Sequence, residues 1–197
     1  MYKIKFFLFI ISFFLIFQVN GQFSIGPVIS FSNGFYDKID TAYKNIDGAL
    51  NPSFGFMAKR KITYWADLGG KALYSFKTMK VNLPPTSDYL TGQYIDLLID
   101  LKISGFDPEK KFLPYANVGL GSSFFIASRG GEKFLSSKKL KPWIPFFDAG
   151  IGCSFKLSYS NHLDLNLSYN RYLTSIYQDN NIRFNQFNFK LGYLFSF

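Results

Sequence analysis

The last eleven residues leave this chain few folds to choose from. Phe187, Phe189, Leu191, Tyr193, Phe195 and Phe197 alternate with Asn188, Lys190, Gly192, Leu194 and Ser196, a period of two that only an extended strand separates into two faces. One face is wholly apolar and mostly aromatic; the other is mostly polar or small. A strand lying between hydrocarbon and a filled polar interior needs that division.

Seven upstream segments repeat the pattern. Phe23, Ile25, Ile29 and Phe31 alternate with Ser24, Gly26, Ser30 and Ser32; Phe54, Phe56 and Ala58 with Gly55, Met57 and Lys59; Leu68, Ala72, Tyr74 and Phe76 with Asp67, Lys71, Ser75 and Lys77. Ile95, Leu97, Ile99, Leu101 and Ile103 alternate with Asp96, Leu98, Asp100, Lys102 and Ser104, and Ala116, Val118, Leu120, Phe124 and Ile126 with Asn117, Gly119, Gly121 and Ser123. Phe147, Ala149, Ile151, Cys153 and Phe155 alternate with Asp148, Gly150, Gly152, Ser154 and Lys156, and Leu163, Leu165, Leu167 and Tyr169 with Asp164, Asn166, Ser168 and Asn170. The pattern predicts an all-β chain, an eight-stranded antiparallel up-and-down transmembrane barrel.

The connections agree, because such barrels carry short turns on one side and longer loops on the other. Long links are expected at 33–50, 79–91, 129–142 and 176–183, and short ones at 59–63, 105–111 and 160–162. An even strand number puts both termini on the short-turn side, which is the periplasmic one.

Residues 1–21 read as a cleaved signal peptide. Lys3 and Lys5 precede an apolar run from Phe6 to Phe17 broken only by Ser12, and small Gly21 suits the position before a cleavage site. A run of this length falls short of the ~20 residues of a spanning helix. The barrel domain is therefore expected over 22–197, exported to the cell outer membrane. Composition fits: 20% of the chain is aromatic, with 25 Phe and 13 Tyr, more rings than an ordinary interior takes. The net charge of +9 comes from lysines and arginines scattered along the chain rather than clustered as nucleic-acid binding requires. The single cysteine, Cys153, excludes an internal disulfide and a Cys-based zinc site.

On these features the chain resembles the small outer-membrane β-barrel family typified by PorT-like and OmpX-like proteins. Tyr94-Ile95-Asp96-Leu97-Leu98, the stretch from Pro114 to Gly121 and the stretch from Phe147 to Gly152 look most like the PorT-like branch. The resemblance implies that Tyr193, Phe195 and Phe197 form the signal read by the barrel-assembly machinery. It specifies architecture far better than activity.

Asp67, Lys71, Lys77, Asp96, Asp100, Lys102, Asp148, Lys156, Asp164 and Lys190 are expected to point inward. An eight-stranded barrel is only wide enough for side chains to fill it, so these mixed charges are read as a structural lumen network. A narrow polar or proton path is the functional alternative. Asp96 and Asp100 lie about 13 Å apart along one strand, too far for a direct acid and base pair. His162, the only histidine, and nearby Ser160 fall on the periplasmic side, so His162 is read as a turn residue rather than a catalytic base. Gly119-Leu120-Gly121 and Gly150-Ile151-Gly152 lack the third glycine and the helix of a dinucleotide site and are read as room for bulky neighbours. Lys133, Lys138, Lys139 and Lys141 make one outer loop basic and suit contact with anionic lipopolysaccharide.

These readings converge on a non-enzymatic outer-membrane protein with a structural, surface-interaction or export-assembly role, without cofactors. Its partners are outer-membrane lipid and lipopolysaccharide, the assembly machinery during biogenesis, and an unidentified secretion-system or surface partner. Two rivals remain. One is an outer-membrane lipid hydrolase or acyltransferase. The other is a soluble periplasmic lipocalin-like barrel around an apolar ligand, which requires the Phe and Leu face to point inward.

Overall fold

In a computed structural model the chain forms nine strands, with residues 22–37, 46–83, 86–105, 110–130, 140–176 and 183–197 described. They are β1 (Phe23–Asp37), β2 (Ile46–Gly48), β3 (Leu50–Lys61), β4 (Ala66–Leu83), β5 (Thr86–Ser104), β6 (Phe112–Gly130), β7 (Trp143–Lys156), β8 (Asn161–Tyr172) and β9 (Arg183–Ser196). All but β2 pair antiparallel with their chain neighbours, and β9 pairs back onto β1. The result is a closed eight-stranded up-and-down barrel. β2 is a short addition against Met79–Val81 of β4.

Closure fixes the geometry. Stepping across paired residues from Ser24 leads through Lys59, Gly69, Asp100, Gly119, Asp148, Asn170 and Gln186 and returns to β1 at Gly34. That is ten residues beyond the start, a stagger that requires strongly tilted strands, of roughly 35–45°. No sheet edge remains open around the barrel wall.

Two connections differ from expectation. The link expected over 79–91 is mostly strand: β4 and β5 stay paired up to Leu83 and Thr86, leaving only 84–85 between them. Thr78, Val81, Thr86, Tyr89 and Thr91 favour extended backbone, while Pro84-Pro85 lies outside the described residues. The β4–β5 ladder therefore runs past the last β5–β6 pair, Leu90 with Gly130. The tight turn sits slightly earlier than expected. Leu157 and Ser158 both donate their backbone N–H to the carbonyl of Asn161, and His162 already belongs to β8, opposite Lys156. The leader at 1–21 lies outside the described residues.

The faces divide as the alternation predicts. Ile99, Val118, Leu120, Ile151 and Leu167 point outward around the middle of the wall, with Leu120 and Ile151 about two-thirds exposed. Rings gather towards both ends of this aliphatic band. Phe112 packs on Phe155 and Tyr193 on Phe195 at the short-turn end, with centroids 5.1 and 5.0 Å apart. Phe54 meets Tyr74, and Tyr169 meets Phe187, at 5.5 and 5.2 Å towards the other end. Aromatic girdles flanking an apolar belt are the lipid-facing pattern of outer-membrane barrels.

Candidate functional site

Most of the buried side chains are polar or charged, and their ion pairs are arranged in three levels. Midway, Lys71 donates to Asp100 at 2.8 Å, and Lys190 of β9 reaches Asp148 of β7 at 2.7 Å. Asp148 also accepts from Asn117 Nδ2 at 2.7 Å, and Asn117 Oδ1 accepts from Asn166 Nδ2 at 2.7 Å. Inward glycines give these groups space. A side chain at Gly119 would collide with Asp100, and one at Gly152 with the Tyr115 hydroxyl. The expected role of the two Gly-x-Gly pairs is met there.

Nearer the long-loop end, Lys77 Nζ bonds both carboxylate oxygens of Asp96 at 2.8 Å, while Ser75 donates to Asp96 at 2.7 Å. Lys77 also lies 4.8 Å from the centroid of the Tyr94 ring and 5.5 Å from that of Tyr172, a cation over two aromatic faces. Beyond it the lumen turns apolar: Leu90, Tyr94, Leu140, Ile144, Phe146, Tyr172, Ile176 and Phe184 form one buried cluster. This cluster is a plug. A hydrogen-bonded polar chain of Ser123, Tyr172, Gln186 and Ser32 runs through the same level, but its members are buried and packed against the cluster, so purified protein in planar bilayers is expected to give no stepwise single-channel conductance. Regular conductance steps abolished by a bulkier residue at Ser123 would show that the plug is not closed.

At the short-turn end Lys102 of β5 crosses to Asp164 of β8 at 2.7 Å. Tyr115 donates its hydroxyl to the same carboxylate at 2.6 Å, and Lys102 sits 4.4 Å from the centroid of the Tyr115 ring. Outside this pair the barrel opens into a polar mouth of about 100 Å³, lined among others by Lys59, Lys61, Asp67, Ser154, Lys156 and His162.

Eight of the ten charges assigned to the network in sequence form four ion pairs. Asp67 and Lys156 do not. Both line the mouth, and neither makes an ion pair among the described residues. The reason is position: Lys156 lies one inward residue beyond Ser154, the register partner of Asp164, and Asp67 stands opposite Lys102, whose ammonium is taken by Asp164. Sequence reasoning missed Lys59 as a mouth residue, although its place in phase with Met57 and out of phase with Phe56 and Ala58 marked it as inward. It also missed the inward tyrosines Tyr94, Tyr115 and Tyr172, whose signal was a ring falling on the polar phase of a strand.

Other sequence candidates are scattered. No hydrogen bond joins Ser160 to His162 among the described residues; Ser160 is exposed in the turn and its carbonyl accepts from Ser196 N–H. Cys153 is half-buried on the outer face. Among the described residues no group of three or more His, Cys, Asp or Glu could hold a metal ion. Lys141 is half-buried, its backbone bonded to Ile176, while Lys133, Lys138 and Lys139 lie outside the described residues.

No protein-family model matches the sequence, and no curated protein is significantly similar to it. Solved structures are. The outer membrane protein OprG from Pseudomonas aeruginosa superposes with a TM-score of 0.57 at 10% identity, over 90% of this chain and 96% of that one. Neisserial surface protein A, NspA, gives 0.54 at 15% identity, over 90% of this chain and all of the other. This chain has the fold of the small outer-membrane β-barrels. At such identities the likeness is one of fold, and the activity has to be argued from the barrel itself.

Proposed function

We propose that this chain is an integral outer-membrane β-barrel with a non-enzymatic structural, surface-interaction or export-assembly role. One observation carries the reading: burial is inverted relative to a soluble barrel. Buried ion pairs fill the interior, while Phe56, Leu120, Ile151 and Leu167 stand more than half exposed around the middle of the wall. In water such a belt would be a large unpartnered apolar patch; in hydrocarbon it is the solvated face. A lipocalin-like carrier needs the opposite arrangement, whereas the buried apolar clusters among the described residues are the plug and a small wall of Val28, Met57, Leu73 and Leu194.

Within that class, three expectations carry over as proposals. The first is membership of the PorT-like branch, on the likeness of Tyr94–Leu98, Pro114–Gly121 and Phe147–Gly152, with the structural, surface-interaction and export-assembly roles kept side by side. Phe195 and Phe197, exposed at the end of the closing strand, with Tyr193 form the assembly signal, and the basic loop with Lys133, Lys138, Lys139 and Lys141 meets lipopolysaccharide. His162 and Ser160 lack the mutual hydrogen bond of a nucleophile and its base, which favours a non-enzymatic role.

Fractionation of expressing cells tests the class. The protein is expected in the outer membrane, migrating faster on gels before boiling than after. A soluble periplasmic protein with heat-independent mobility would overturn the reading.

A further inference from the structure

The charged mouth at the short-turn end is not used by the interior network, and its chemistry points to a ligand. We infer that it is a binding site for a single oxyanion, a phosphate or carboxylate group, held by Lys59 and Lys156 with Ser154 at its floor. The site belongs to the end of the barrel itself; only the compartment it faces, the periplasm, rests on the outer-membrane reading.

Charge is the first argument. Lys102 is satisfied by Asp164 at 2.7 Å. Asp67 stands among Lys59, Lys61 and Lys102, so the two carboxylates of the mouth, Asp67 and Asp164, face four lysines, Lys59, Lys61, Lys102 and Lys156, and the lining carries a net positive charge. Lys59 and Lys156 stand on β3 and β7, two strands on opposite sides of the mouth. Neither makes an ion pair among the described residues. Both line one cavity whose lysines outnumber its carboxylates, and an anion bound there is favoured by that excess of positive charge. His162, in register opposite Lys156, supplies a ring nitrogen at the same wall.

Ser154 is the second, independent argument. It lines the cavity, is 5% exposed, and its Oγ is buried with no hydrogen-bond partner. Leaving a buried hydroxyl unbonded is costly, and a hydroxyl can donate to an oxyanion. Size is the third. A mouth of about 100 Å³ is room enough for one tetrahedral or planar oxyanion with some of its water.

The test uses the refolded barrel in octyl glucoside, with backbone amide NMR shifts of Ser154 and His162 as the readout. Inorganic phosphate is expected to shift both saturably, and chloride at matched ionic strength is not. Lys59→Gln and Lys156→Gln are each expected to weaken phosphate roughly tenfold, while Lys80→Gln, at the far end of the barrel, leaves it unchanged. Heat-modifiable mobility shows that each variant is folded, and Lys156, at the outer rim of the mouth, keeps the test decisive if Lys59→Gln fails to fold. Repeating the titration with phosphatidylglycerol in phosphatidylcholine bicelles separates two sources of the same chemistry. Saturation by dissolved phosphate identifies a free anion; shifts seen only with phosphatidylglycerol identify a lipid head group. Absence of saturable shifts in both settings, or equal shifts with chloride, overturns the site without touching the membrane reading.

Discussion

Asp148→Ala is expected to destabilise the barrel by about 3–5 kcal/mol, measured as the shift in urea unfolding of the protein in lipid vesicles. Asp148 is fully buried and is the only carboxylate within reach of Lys190 among the described ion pairs. Removing it strands an ammonium group inside the lumen and deprives Asn117 of its acceptor at 2.7 Å. The size of the loss comes mainly from that stranded charge, since a buried ion pair contributes little net stability against apolar replacements of similar volume. The double variant Asp148→Leu with Lys190→Met is therefore expected to recover most of the loss. A single variant within about 1 kcal/mol of the parent would mean that Lys190 finds water instead, and that the lumen is wetter than its packing indicates.

Leu167→Arg addresses the other face and is expected to cost about 2–4 kcal/mol in the same vesicles. Leu167 is 57% exposed and lies at mid-height, between Ile151 of β7 and Phe189 of β9. Placing a guanidinium there puts a charge where hydrocarbon is deepest, with no side chain long enough to bring it cheaply to either interface. A soluble barrel would tolerate the same substitution, or gain solubility from it. An unchanged unfolding midpoint in vesicles would thus contradict a lipid-facing belt directly.

The faces were legible in the sequence because a period of two needs no knowledge of neighbours. Whether Ile99 points out or Asp100 points in follows from position alone. Partner choice was not legible in the same way. Lys102 bonds Asp164, three strands away across the lumen, rather than Asp67, which stands directly opposite it in the β4–β5 ladder. That selection follows from strand tilt and closure, which no single segment encodes. Loop length failed for a related reason: around Pro84-Pro85 the flanking residues form strand because β4 and β5 keep pairing beyond the last β5–β6 pair, a choice made by the hairpin as a whole. The mouth was missed since Lys59 and Lys156 look like any other inward lysines until the level of Lys102 and Asp164 shows which charges are already satisfied.

The cross-lumen pairs bear on how the chain finds its register. Sliding any strand by two residues returns every Phe, Leu and Ile to the outer face, so the apolar belt alone does not discriminate the native alignment from its nearest competitors. Such a slip would carry Asp148 or Asp164 past its lysine by a full side-chain repeat of about 7 Å. Lys102 and Asp164 are 62 residues apart in the chain, and Lys190 and Asp148 are 42; these contacts form only once the distant strands face each other. The ionic interior thereby acts as a proofreading element, penalising the misaligned barrels that the greasy exterior would accept.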